Sequence, residues 1–397
     1  MRPLLSLFVS AFVVFLTSGI ACARQPTIPF VACEDATEKP EFSGTLCARV
    51  EVPLDHRKPA GAKITLFVRK IPTGLPSKGQ LWLVAGGPGE SGASFYPFLE
   101  SLRAAAPNFD LIILDHRGTG YSTRLCPAEE GRESEGGTAL AGAEWVNCFD
   151  ALNADSIRTR AFSITNAAFD LRTLIDGQAK GRKTFVYGVS YGTQLVLRAL
   201  MVAPPRHLVG VILDSHTPPE LSHEWDLSHR SAVVDVVGRR VLAACDRTTK
   251  CNASLGGSAA KAMQEVIANP NFKDQFGGNP KYIFGALLDS PDLRAGIPEI
   301  LEDLRGGDLA SLRSAKARLE QMGAFLTAYP QSPLSFPLVS LISASENNAR
   351  PNLTEATLSA EEHNYLFSSP LPALLLRSDL LPENWSSFRK AGHPYPG

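Results

Sequence analysis

FVYGVSYGTQL, residues 185 to 195, decides how the rest of the chain is read. Three residues suited to a strand run into Gly188-Val189-Ser190-Tyr191-Gly192, and a segment with helical spacing follows. A serine between two glycines at a strand-to-helix junction is the pattern of a nucleophile elbow. The turn is so tight that a Cβ at either glycine would collide with the neighbouring strand or helix. The pattern alone is cheap: with 32 glycines in 397 residues, chance gives on the order of 0.2 matches per chain. Its weight comes from the strand before it and the helix after it. The competing reading is an ordinary turn serine.

Working outward, GQLWLVA (79–85) is another short apolar run and stops at Gly86-Gly87-Pro88-Gly89. DLIILD (110–115) stops at HRGTG, and LVGVILD (208–214) stops at SHTPP. Four such runs with helical text between them predict buried parallel strands of an α/β sheet, whose carboxyl ends are where chemistry is placed. Before them, LCARVEVPLDH and KITLFVRKI, joined by KPAGA, predict an antiparallel hairpin. From about Glu220 to Pro370, segments such as SAVVDVVGRRVLAAC and SAAKAMQEVIA carry apolar residues at three- and four-residue spacing, the mark of amphipathic helices. The expected division is therefore a leader at 1–23, an α/β core at 24–219, a helical cap at 220–370 and a C-terminal segment at 371–397.

The leader reading rests on Arg2, the apolar stretch from Leu4 to Leu16, and Ala21-Cys22-Ala23, which together predict a secretory signal cleaved before Arg24. An uncleaved anchor competes with it, and lipid attachment through Cys22 is disfavoured by Gly19. The expected location is secreted or periplasmic, with no stable membrane association. Removal of Cys22 leaves Cys33, Cys47, Cys126, Cys148, Cys245 and Cys251. Six cysteines allow 15 pairings; proximity in sequence favours Cys33–Cys47, Cys126–Cys148 and Cys245–Cys251, with free buried thiols as the alternative. No CxxC or His-x-His spacing suggests a metal, and no cofactor is expected. The 39 basic and 40 acidic side chains give no electrostatic reason to expect nucleic acid or an anionic membrane as partner. Nothing in the sequence speaks to oligomeric state.

Acyl transfer needs two N–H donors aimed at the developing oxyanion. Tyr191, which follows the nucleophile, supplies one, and the Gly86–Gly89 loop must supply the other, glycine allowing the backbone to approach the substrate.

In order along the chain, CARVEVPLDHRKPAG, VAGGPGESG, LDHRGTGYS, FVYGVSYGTQL and VILDSHTPP resemble landmarks of the α/β-hydrolase serine exopeptidases, in particular the secreted tripeptidyl aminopeptidases related to proline iminopeptidases. The resemblance covers roughly residues 33 to 220 well and the cap more loosely. It implies an α/β-hydrolase fold, a mostly parallel sheet with helices on both faces and a helical cap. It also implies Ser190 as nucleophile, Gly87 and Tyr191 as oxyanion donors, and a peptide with a free N-terminus as substrate. Glu346, in LISASENN, stands where that branch carries a cap glutamate that meets the substrate's amino group; a solvated helix-end glutamate competes.

The chain also departs from the pattern. The family places its acid after the next-to-last strand and its histidine after the last, with a helix and a strand between. The late candidates here, Asp379 and His393, are 14 residues apart with no β-like run between them, too few for a strand-helix-strand passage. LPALLLRSD reads as a short helix with Pro372 in its first turn, and Trp385 resembles a family tryptophan that precedes the acid's strand. The expectation is a truncated or degenerate C-terminal part; a compressed Asp379/His393 pair, or Asp214 with His216 or His363, are the other placements. His116 belongs to the HRGTG loop and reads as structural, braced by Asp115 and Arg117. The expected activity is hydrolysis of N-terminal peptide bonds, with a carboxylesterase and a non-catalytic remnant as alternatives.

Overall fold

Each predicted apolar run becomes a strand. The computed structural model describes residues 28–131, 133–137, 139–179, 181–217, 226–324, 328–347, 350, 352–374 and 376. The expected leader, Asp379, Trp385 and His393 lie outside them. Seven strands form one sheet: β1 (Val31–Ala32), β2 (Leu46–Pro53), β3 (Lys63–Ile71), β4 (Gly79–Val84), β5 (Phe109–Asp115), β6 (Lys183–Val189) and β7 (Leu208–Asp214), in the order β1-β2-β3-β5-β4-β6-β7. The hairpin β2–β3 is antiparallel, and β5, β4, β6 and β7 run parallel to one another.

The central strands carry apolar side chains on both faces through most of their length because both faces are covered. Trp82, Val84, Ile112 and Leu114 point into one core with the helices Ile164–Ala179 and Tyr191–Val202. The alternate residues Leu81, Leu83, Leu111 and Ile113 pack on the other face with Phe95 and Tyr96, the period of two that a pleated strand imposes. The parallel β4 and β6 end side by side, which delivers the Gly86 loop and the Ser190 turn to the same edge of the sheet.

Two expectations change. β7 was expected to be buried, yet Val209 is 57% and Ile212 49% exposed. Among the described residues it is the edge strand, and an apolar run alone does not distinguish an edge from a centre. The helix Phe336–Ser345 lies within the segment read as cap, but its Leu338, Leu341 and Ile342 pack into the sheet's own core. Most of the remaining helices share a separate cluster, built on Leu242, Met263, Phe284, Ile297, Leu301 and Phe367. The short helix expected at LPALLLRSD is present as Leu371–Leu374.

Disulfides join Cys33 to Cys47, Cys126 to Cys148 and Cys245 to Cys251, the pairing expected from proximity. Closing the 22-residue separation between Cys126 and Cys148 stabilises the fold by roughly 3 kcal/mol through loop-closure entropy. Among the described residues no helix is long and apolar enough to cross a membrane.

Candidate active site

Ser190 sits between β6 and the helix Tyr191–Val202 with φ 51° and ψ −119°, a left-handed backbone that an L residue adopts only at a cost of roughly 1–3 kcal/mol. Its surroundings hold it there. The Ser190 N–H donates to the Asp214 carbonyl at 2.9 Å, and its own carbonyl accepts from the Thr193 N–H at 2.9 Å and the Thr193 hydroxyl at 2.6 Å. The flanking glycines are required by contact. A Cβ on Gly192 would lie 2.4 Å from the Val84 carbonyl oxygen, and one on Gly188 would lie 2.7 Å from the Gly192 carbonyl oxygen. Tyr191 opens the following helix, whose first N–H groups lack intrahelical acceptors and form an electropositive end beside the serine.

The loop after β4 reaches the same place. The Cβ position of Gly86 is 3.2 Å from Ser190 Cβ, and Gly87 has φ 99°. The structure thus brings Ser190, Tyr191 and the Gly86–Gly87 loop together. The loop is anchored from two sides. Gly89 accepts from the Ser335 N–H at 3.0 Å, and a Cβ at Gly89 would lie 2.5 Å from the Ser335 carbonyl oxygen. Asp115 accepts from the Gly92 N–H at 2.7 Å, the Tyr121 N–H at 2.7 Å and Gln331 Nε2 at 2.6 Å. Burial pushes the Asp115 carboxyl up to about 6 against the pull of those donors.

His116 and Arg117 are part of the same brace. Arg117 clamps Asp170 through Nε at 2.7 Å and Nη2 at 2.8 Å, and donates to the carbonyls of Leu54 and Ala161. His116 is 1% exposed, its ring 5.4 Å from that of Tyr191. Burial lowers it to about 4, so it is neutral at pH 7.

Glu346 is buried among partners from the chain itself. It is 7% exposed, accepts the Ile164 N–H at 2.8 Å and lies 3.6 Å from Arg198 Nη2. Its neighbour Asn347 exchanges side-chain hydrogen bonds with Gln194 at 3.1 and 3.2 Å. Gln194 and Arg198 both lie on the helix that begins at Tyr191, so the cap glutamate braces the nucleophile's helix and meets an internal cation.

Of the alternative triad groups, Asp214 is exposed and engages Tyr187 Oη and Ser215 Oγ. His216 and His363 are exposed as well, His363 ending the cap helix Glu355–His363. Among the described residues, the Ser190 contact to this group is to the Asp214 backbone carbonyl. Sequence reasoning passed over Glu90, although it stands inside the quoted VAGGPGESG. Its Oε2 is 3.2 Å from the Cβ position of Gly86, as is Ser190 Cβ. A charged residue inside a glycine-rich loop at the end of a buried strand was the available signal.

A family model described as the alpha/beta hydrolase fold matches residues 81–252. The chain has the α/β-hydrolase fold. The chain is 31% identical over 218 residues to a tripeptidyl aminopeptidase of Streptomyces coelicolor, a match covering 49% of this chain and 39% of that protein. It is 26% identical over 240 residues to the serine protease Hip1 of Mycobacterium tuberculosis, covering 56% and 45%. It spans less than half the length of these curated relatives. Among solved structures, an alpha/beta hydrolase from Novosphingobium aromaticivorans aligns at 15% identity over 49% of this chain and 50% of that one, with a TM-score of 0.28.

Proposed function

We propose that this chain is a serine hydrolase that cleaves N-terminal peptide bonds through an acyl-enzyme. One observation carries the reading: Ser190 is held at φ 51° with the Gly86 loop packed on its Cβ, the arrangement in which a hydroxyl and an oxyanion site meet at one carbonyl. Ser190 Oγ attacks that carbonyl, the N–H groups of Gly87 and Tyr191 hold the oxyanion, a base takes the hydroxyl proton, and the amine leaves protonated. Water then releases the acyl group by the reverse path.

The peptidase class is supported by relatives named as a tripeptidyl aminopeptidase and a serine protease. Three disulfides favour an oxidising compartment, in keeping with a secreted or periplasmic protein. On the 14-residue spacing of Asp379 and His393, His393 is not the base.

The test compares aminoacyl and tripeptidyl p-nitroanilides with p-nitrophenyl esters, using the purified chain and Ser190→Ala. The expected result is release from the anilides that Ser190→Ala removes and His393→Ala leaves unchanged. Ester cleavage alone points to a carboxylesterase, and rapid anilide cleavage abolished by His393→Ala establishes the compressed pair as the triad.

A further inference from the structure

Carboxylates buried in this protein are, as a rule, matched by a cation: Asp170 by Arg117, Glu130 by Arg124, Glu346 by Arg198, Asp110 by Lys70. Asp115, which among the described residues forms no such pair, has three hydrogen-bond donors. Glu90 is the exception beside the nucleophile. It is half-buried, loss of solvent raises its pKa while the Gly86 N–H pulls it down, and among the described residues no cation pairs with it. Its Oε2 and Ser190 Cβ each lie 3.2 Å from the same point, so they are within twice that distance, about 6.4 Å, of each other.

An ionised carboxylate there opposes the reaction, because a second negative charge develops on the oxyanion a few ångströms away. A substrate that brings its own cation removes the conflict. We propose that Glu90 is a specificity-determining residue that binds the free α-ammonium of the residue being acylated. This deepens the serine-hydrolase reading and rests on it.

Distance sets the substrate class. The α-amino nitrogen of an acylated residue is two bonds from the carbonyl carbon that Ser190 attacks. Each additional residue carries the amino group up to about 3.3–3.6 Å further along an extended chain. A carboxylate this near Ser190 therefore suits substrates that lose one residue at a time, whereas the terminal amine of a tripeptidyl group would lie about 7 Å further off. An N-acetylated substrate leaves Glu90 uncompensated and is rejected.

The experiment measures calorimetric binding of glycinamide, L-alaninamide, L-leucinamide and L-prolinamide, and of their N-acetyl counterparts, to the full chain at pH 7. The expected result is a preference for at least one free amine of about tenfold or more, the scale of a charge-assisted hydrogen bond. In Glu90→Gln the ratio collapses to within about twofold, whereas Glu346→Gln keeps it. Because the ratio is taken within each protein, a general loss of binding does not mimic the effect, and Glu90→Asp, which retains the charge, restores part of it.

A wild-type chain with no preference, or a Glu90→Gln variant that keeps it, overturns the proposal. Fluorophosphonate labelling of Ser190 in parallel separates the two claims. Labelling without a Glu90-dependent preference overturns the role of Glu90 and leaves the hydrolase reading standing. A Glu90-dependent preference without labelling leaves an amine site at Glu90 but removes the hydrolase reading, and with it the assignment of that amine to an acylated residue.

Discussion

The backbone N–H of Ser190 donates to the carbonyl oxygen of Asp214 across 2.9 Å. The bond fastens the turn after β6 to the last residue of β7, and it holds a serine in backbone geometry that serine does not choose. Strain of this kind persists only where surrounding contacts over-determine it. Here the glycine contacts on either side complete the clamp.

Relief of that strain is measurable. Glycine adopts φ 51° freely and alanine does not, so Ser190→Gly is expected to be more stable than Ser190→Ala by on the order of 1 kcal/mol, even after glycine's larger unfolded-state entropy. Urea unfolding of the two variants checks this. An alanine variant as stable as the glycine one would show that the turn is relaxed.

Arg198 and Glu346 form a buried pair, their side chains 2% and 9% exposed. Arg198→Met leaves the carboxylate without its cation and is expected to cost about 3 kcal/mol. Glu346→Gln keeps the acceptor for the Ile164 N–H and costs less. Because Glu346 acts through the nucleophile's helix, its variant should slow amide and ester substrates alike. Esters left untouched while amino-terminal substrates suffer would return Glu346 to the role of an amino-group ligand.

Acid should unfold the protein partly through His116. Its folded pKa of about 4 lies below the ordinary value of 6.5, so the unfolded chain takes up the proton first. The neutral ring's contribution is whole above pH 6.5 and is lost as pH falls toward 4. Asp115, raised to about 6, works in the opposite sense over much of that window, which flattens the wild-type profile. His116→Gln therefore gains stability relative to wild type between pH 7 and pH 4, by up to about 3 kcal/mol. Parallel unfolding profiles for the two proteins would remove His116 as the cause.

Much of the core was legible because its signals are local. The runs at 79–85, 110–115 and 185–187 read as buried strands from their own text and the turns that end them, and disulfide partners separated by 14, 22 and 6 residues are joined by short stretches of chain. What failed to show depends on partners far away in sequence. LVGVILD has the same apolar text as a central strand, and only the sheet order reveals β7 as an edge. Phe336–Ser345 has a helix's spacing, but nothing local says that Leu338 and Leu341 pack on the sheet. Glu346 reads as a free carboxylate until the fold brings Arg198, 148 positions earlier, to within 3.6 Å. Glu90 was hidden by the glycines around it, since its meaning depends on the approach of β4 to β6.

The central claim is that Ser190 is a nucleophile presented to an oxyanion site. The most direct measurement is intact-mass and peptide-level analysis of the purified chain after prolonged exposure to a fluorophosphonate. The account predicts a single adduct on Ser190, unchanged in rate by His393→Ala and absent from Ser190→Ala. A chain that remains unlabelled, or carries the adduct on a different serine while Ser190 stays free, would contradict it.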